Sequence, residues 1–175
     1  AMIENEKIAP YFDLSFQHTS PTVLRRMRRF GDSEKFLHLI TQIRALSPAA
    51  GIRSNFIVGF PGETEADFME TVDFLTDLDI SYLHVFTYSE RAHTHALTIK
   101  PIVPISVRQE RNKILRQLSY QKMQAFSRSF EGTTRQVLFE QAEKDQMMEG
   151  YTDNYIRVTT PYRAEWVNRI VEWTL

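Results

Sequence analysis

The stretch Ile57-Val58-Gly59-Phe60-Pro61-Gly62-Glu63-Thr64 holds the residue types most suited to placing a ligand. An apolar run, Ser54 to Val58, reads as a buried strand that enters a Gly-Phe-Pro-Gly turn. A helix follows at once, with Thr64 as its N-cap and Asp67 three residues on as capping-box partner. Such a turn lies at the carboxyl end of a strand, where open α/β sheets and α/β barrels bind ligands. Gly59 and Gly62 let backbone approach a bound molecule, Pro61 stiffens the turn, and Glu63 sets a carboxylate at the mouth. A phosphate loop is excluded, because no Gly-Lys-Ser/Thr follows and a carboxylate repels phosphate. Two readings remain: a ligand-facing turn, or an ordinary tight connection.

The elements that must position this turn follow from the pattern. Tyr11 to Gln17 alternates as a strand, with Asp13, Ser15 and Gln17 on its polar side. Ser20-Pro21 opens a helix in the favoured order, and Gly31 stops it. A second helix runs from about Ser33 to Leu46, with Phe36, Leu37, Ile40, Ile43 and Leu46 inward. After the central strand and helix, Tyr82 to Tyr88 reads as a third strand. Strands separated by helices argue a parallel sheet with right-handed crossovers. Residues 89–104 are irregular. A long helix then runs from about Ser106 to Phe130, with Ser106 and Gln109 as a capping box and Val107, Ile114, Leu118, Met123, Phe126 and Phe130 on its apolar side.

From Thr133 the texture changes to short strands: Arg135 to Glu140, Met147 to Tyr151, Tyr155 to Thr160 and Trp166 to Thr174. Polar turns such as Glu143-Lys144-Asp145-Gln146 separate them, as in a small β-barrel or sandwich. The expected fold class is α/β: a partial parallel (βα) barrel over residues 1–131, then a small antiparallel β-barrel over 132–175.

Composition excludes several functions. The 175 residues carry a net charge of -1, so no global field draws the chain to nucleic acid or membrane. There is no cysteine, hence no disulfide, no thiolate metal site and no Cys nucleophile. No apolar run approaches the roughly 20 residues of a membrane span. No signal peptide pattern surrounds Ala1-Met2, and the expectation is a cytoplasmic protein. His93-Thr94-His95 lacks a third ligand and reads as a loop rather than a metal site.

Taken together, Leu14-Ser15-Phe16-Gln17, Val23-Leu24-Arg25-Arg26-Met27-Arg28-Arg29, Ile57 to Thr64 and Phe86-Thr87-Tyr88-Ser89 resemble the radical S-adenosylmethionine methylthiotransferases. Gly150-Tyr151-Thr152 and Asn154 to Val158 resemble the RNA-binding TRAM domain that closes those proteins. The resemblance implies S-adenosylmethionine as cofactor, lying against Gly59, Phe60, Gly62 and Glu63. Gln17 at the rim offers an amide to a ligand or is a solvent-exposed strand end, and the run Arg25 to Arg29 could hold the cofactor carboxylate or an RNA phosphate or form a solvated helix face, with Arg29 the member to test. The family's Cys-x-x-x-Cys-x-x-Cys loop is missing, so this chain has no thiolates for the iron–sulfur cluster and no catalytic residue is assigned. Substrate signals divide: Asp13 to His18 resembles the ribosomal-protein enzymes, whereas Leu83 to Arg91 resembles the tRNA enzymes. A natural intermediate and a fusion of two members, joined between about Asp67 and Tyr82, are both open, as is a folded chimera without catalytic activity.

In the β module, Tyr155, Arg157, Arg163 and Arg169 interleave aromatic and basic groups, a pattern that suits RNA and equally a solvated barrel surface. A truncated parallel sheet leaves edges bare, so self-association is expected unless the long helix covers them.

Overall fold

The computed structural model describes residues 8–144 and 146–175. The polar lead Glu4 to Lys7, and Asp145 of the expected turn, lie outside them. The first part contains β1 (Tyr11–Gln17), α1 (Pro21–Arg26), α2 (Ser33–Leu46), β2 (Gly51–Val58), α3 (Glu65–Asp77), β3 (Tyr82–Thr87) and α4 (Ile105–Arg128). The strands form one parallel sheet in the order β1-β2-β3. Local chemistry fixes the helix starts. Ser20 Oγ accepts from the Val23 amide, and Pro21 occupies the first turn of α1. Thr64 and Asp67 form the expected capping box of α3.

The central strand β2 alternates cleanly. Ile52, Ser54, Phe56 and Val58 face the helices, where they join Leu24, Phe36, Ile40, Phe68, Leu75 and Leu115 in one core. The opposite face carries Asp13, Ser15, Arg53, Asn55, His84 and Phe86, and among the described residues no helix covers it.

Three expectations are corrected. Leu37 and Leu46 of α2 are exposed, so its inward stripe narrows to Phe36, Ile40 and Ile43. The α4 capping box does not form, because Pro104 is the cap and Ser106 already lies inside the first turn. The buried face of α4 is Arg108, Arg111, Leu115 and Ser119, while Ile114 and Met123 are exposed. The reason is the position of α4 along the free edge of β3, where backbone groups need polar partners. Ser119 Oγ accepts from the Leu83 amide (2.9 Å) and donates to the Leu83 carbonyl (2.8 Å). Lys122 Nζ donates to the carbonyls of Leu78 (2.8 Å) and Thr76 (3.0 Å), satisfying the end of α3.

The second part holds β4 (Thr134–Lys144), β5 (Met147–Thr152), β6 (Arg157–Pro161) and β7 (Ile170–Thr174), an antiparallel sheet in the order β6-β5-β4-β7. Its core is Val137, Phe139, Met148 and Val158, with Trp166 and Trp173 packed on Phe139. Trp166 closes a short 3₁₀ turn, so the last strand begins at Ile170 instead. Tyr155 stands in the β5–β6 turn at φ 70°, not in a strand.

The two sheets meet at the amino-terminal ends of the parallel strands. Tyr155 stacks between Tyr11 (4.6 Å) and Tyr151 (4.8 Å), Tyr11 and Tyr82 share a hydroxyl hydrogen bond (2.7 Å), and Asn154 Nδ2 donates to the Ala49 carbonyl (2.9 Å). Among the described residues, no helix is long and apolar enough to cross a membrane.

Candidate functional site

The Gly59–Glu63 turn sits at the carboxyl end of β2, as expected, but it is buried throughout. Glu63 is 4% exposed, and its carboxylate folds back on its own turn instead of standing at the mouth. Oε2 accepts from the amides of Gly59 and Phe60, and Oε1 accepts from Arg111 Nη1 at 3.0 Å. Arg111 also donates to Glu65 (2.8 Å) and lies over the Phe68 ring. Burial pushes the Glu63 carboxyl up, to about 7, against the pull of Arg111 and the two amides.

Both glycines of the turn have positive φ, 75° at Gly59 and 81° at Gly62. A Cβ on Gly59 would collide with Arg108 Cγ, and one on Gly62 would meet Arg26 Nη1 at 2.5 Å. These glycines therefore admit arginines of the protein itself. Arg26 Nη1 donates to the Gly62 carbonyl. Arg108 donates to the carbonyls of Val103 (2.8 Å) and Tyr88 (3.1 Å) and pairs with Glu90 (2.6 Å), tying the 88–104 loop to the turn. Phe60 packs edge-on against Tyr88 at 5.2 Å and is buried. Its ring is not an open wall.

Beside the turn, the chain leaving β1 is equally enclosed. The register shifts between Leu14 and Gln17, and Gln17 has φ 72°. This bulge takes Gln17 out of the alternation with Asp13 and Ser15, so the expected polar-face placement does not hold. His18 Nδ1 accepts from the Ser20 amide (3.0 Å), which leaves the proton of the neutral ring on Nε2. Nε2 is buried without a hydrogen-bond partner, 4.0 Å from Glu63 Oε2. Burial lowers the His18 pKa to about 4. Ser20 Oγ and Thr64 both donate to Asp67, so one carboxylate joins the starts of α1 and α3.

Of the arginine run, Arg26 reaches the turn while Arg29 is exposed beyond the end of α1. The sequence pattern does not separate them, since α1 stops at Arg26 rather than at Gly31.

The open face of the sheet supplies what the turn does not. Arg53 pairs with Asp13 and holds its carboxyl below the usual range. Asn55 Nδ2 donates to Ser15 Oγ (3.2 Å), and His84 packs on Phe86 (4.4 Å). Neither Asn55 nor Phe86 was expected as a site residue. The signal was present in β2, where Arg53, Asn55 and Ile57 alternate with Ile52, Ser54 and Phe56.

In the second sheet, both faces of Tyr155 are occupied by Tyr11 and Tyr151, which corrects its expected role as a stacking platform for RNA. Arg157 pairs loosely with Glu149 at 3.5 Å, and Arg163 lies over Trp166 at 4.4 Å. Arg169 is exposed between Trp166 and β7. The structure spreads these arginines over both edges of the sheet and the turn between them. Among the described residues, no group of three or more acidic or histidine side chains is placed to hold a metal ion.

Comparison with known proteins gives a consistent picture. The Radical SAM superfamily model matches residues 2–75. The chain is 46% identical over 140 residues to the ribosomal protein uS12 methylthiotransferase RimO of Streptomyces griseus, covering 80% of this chain and 28% of the relative. The enzyme of the same name from Saccharopolyspora erythraea is 65% identical over 89 residues, 51% of this chain and 18% of the relative. That from Salinispora arenicola is 46% identical over 143 residues, 82% of this chain and 28% of the relative. The chain thus spans under a third of the length of the curated relatives it matches. Among solved structures, the radical SAM enzyme coproporphyrinogen III oxidase (HemN) from Escherichia coli aligns with a TM-score of 0.48 at 21% identity, covering 69% of this chain and 26% of that one.

Proposed function

We propose, on the premise that this chain belongs to the radical S-adenosylmethionine methylthiotransferase family, that residues 1–131 form part of the barrel wall on which the cofactor's adenosine rests. The observation that carries this is the rim itself: a parallel sheet with one uncovered polar face, ending in a turn braced from three sides. The Gly59 and Phe60 amides are spent on Glu63, and the Gly62 amide on the Pro101 carbonyl. The Phe60 and Gly62 carbonyls are also taken, by the Glu63 amide and by Arg26, so the acceptors the turn keeps for the amino group of an adenine are the Gly59 and Pro61 carbonyls. Asn55 and Phe86 on the open face complete the contact set, while buried Gln17 fixes the bulge beside the turn. Glu63 acts as an internal brace, Gly59 acts through its carbonyl, and Phe60 and Gly62 hold the shape of the turn. Arg29, exposed and free to extend, would meet the cofactor carboxylate.

When bound and reductively cleaved, S-adenosylmethionine supplies a carbon radical and a methyl group. The residues of this chain do not fit the cluster that drives that cleavage, for there is no cysteine. Its thiolates must come from outside these 175 residues. Reconstitution of this chain with iron and sulfide is expected to give no cluster absorbance band; a stable band would sink that statement. Because the relatives carry the name of ribosomal protein uS12 methylthiotransferases, the substrate we propose is a ribosomal protein, not a tRNA.

The test uses S-adenosylhomocysteine, which binds without reacting, and amide chemical shifts of the labelled chain. Shifts confined to Asn55, Gly59 to Glu63 and Phe86 are expected at millimolar ligand. Shifts elsewhere, or none, would remove the cofactor wall.

A further inference from the structure

We infer that the groove between α2 and α3 docks a basic amphipathic helix of a partner protein. The groove has a volume of about 750 Å³. It lies on the helix side of the parallel sheet, so it is separate from the open polar face used by the cofactor reading above.

Three observations carry the assignment. The first is an apolar floor left open to solvent. Leu37, Met69 and Phe74 line the groove, with Leu37 51% and Met69 44% exposed. The pattern of α2 groups Leu37 with its inward residues, yet the core takes Phe36, Ile40 and Ile43 and leaves Leu37 outside. The second is charge. Glu70, Asp73 and Asp77 line the same groove and no basic side chain does, in a chain whose net charge is only -1. Among the described residues, none of these three carboxylates is in an ion pair. The lysine and the arginine of α2 are engaged elsewhere, Lys35 with Asp32 (2.9 Å) and Arg44 with Asp79 (2.9 Å), and α3 has no basic residue. Lys122 of α4 donates to the carbonyls of Thr76 and Leu78. The third is that the row of charge works against the helix that carries it. Glu70 and Asp73, then Asp73 and Asp77, are like charges three and four residues apart. Asp77 also ends α3, where a carboxylate opposes the helix dipole. A cationic partner reverses both penalties.

The spacing selects the form of that partner. Along α3 the three carboxylates are separated by about 4.5 Å and then about 6 Å. Lysines or arginines three and four residues apart on a helix laid along α3 meet all three, and leucine-type residues beside them enter the floor. An extended segment repeats the side chains of one face every ~6.8 Å and matches only one of the two gaps.

The test titrates the full chain into a fluorescein-labelled helical peptide with leucines on one face and three lysines beside them at helical spacing. An alternating Lys-Leu peptide of equal charge and a glutamate version of the helix serve as comparisons. Anisotropy should report binding of the lysine helix alone, weakening as salt rises. Leu37→Ser should weaken binding about tenfold. Asp73→Asn, at the middle of the row, should weaken it about threefold. Glu110→Gln and Glu131→Gln, exposed carboxylates outside the groove, should leave it unchanged. Leu37 and Asp73 are exposed, so circular dichroism of both variants should match the parent chain. Sedimentation of the chain alone tests the other occupant: a dimer that Asp73→Asn dissociates would give the groove to a second copy and overturn the assignment. Absence of binding, equal binding of either comparison peptide, or a loss in Glu110→Gln as large as that in Asp73→Asn would each overturn it as well.

Discussion

At the scale of single residues, Glu63 decides whether the turn keeps its shape. Read from sequence, Glu63→Gln should be nearly neutral, since a carboxylate at an open mouth is easily replaced. In the structure that carboxylate accepts from two amides and from Arg111 with almost no solvent. The amide of Gln would set a donor against donors and leave Arg111 with only exposed Glu65 as its anion. Breaking a buried pair from one side costs about 3–5 kcal/mol. A fall of that order is expected in urea unfolding of Glu63→Gln, and a change under 1 kcal/mol would contradict the brace. Gly59→Val should be destabilising too, but for a reason other than a clash with ligand: its Cβ strikes Arg108.

His18 belongs to the same scale. Its folded pKa of about 4 lies below the ordinary 6.5 because burial disfavours the charged ring. Above pH 6.5 the ring is neutral in both states and the stability is complete. As pH falls toward 4 the unfolded chain takes up a proton that the folded chain refuses, so stability declines across that window by about 3 kcal/mol. Asn at this position keeps an acceptor for the Ser20 amide but does not titrate. Stability of His18→Asn should be flatter than that of the parent chain between pH 6.5 and 4; equal slopes would show that other groups carry the effect.

At the scale of elements, α4 shows which information the sequence withholds. Every parallel strand was legible to within a few residues, because alternation and capping act locally. The face of α4 was not. Hydrophobic periodicity looks for apolar stripes, and the stripe that α4 buries is Arg108, Arg111 and Ser119 around a single Leu115. Each polar member answers a partner distant in sequence: a turn, a carboxylate, a strand edge. The same limit applies to the site. The motif Gly59 to Glu63 was visible, but that Arg26 and Arg108 fill the space beside its glycines depends on α1 and α4 meeting there. Ser119→Ala tests the element directly. It leaves the Leu83 amide and carbonyl without their partner, at a cost of about 1–3 kcal/mol. Hydrogen exchange at Leu83 should accelerate more than at Phe56 in the neighbouring strand. Uniform acceleration would mean that α4 covers the edge by packing alone.

At the scale of the whole molecule, the antiparallel sheet docks where the parallel strands begin, and the braced turn lies where they end. The eight residues of β2 separate the two by roughly 26 Å. The antiparallel sheet therefore acts on the turn only through the parallel sheet, and the joint between them is narrow: the Tyr11–Tyr155–Tyr151 stack and the Asn154–Ala49 hydrogen bond. Tyr155→Asn removes the stack while keeping a residue that tolerates φ 70°. Two ring pairs beyond their buried area amount to roughly 1–3 kcal/mol. Because the two hydrophobic cores share no residue, losing that coupling should let each sheet melt by itself. Calorimetry of Tyr155→Asn should resolve two transitions where the parent chain gives one, with amide protection at Gly59 unchanged. A single transition at the parent midpoint would mean that the sheets are held together by Asn154 and the chain connection, with the tyrosine stack contributing nothing to their coupling.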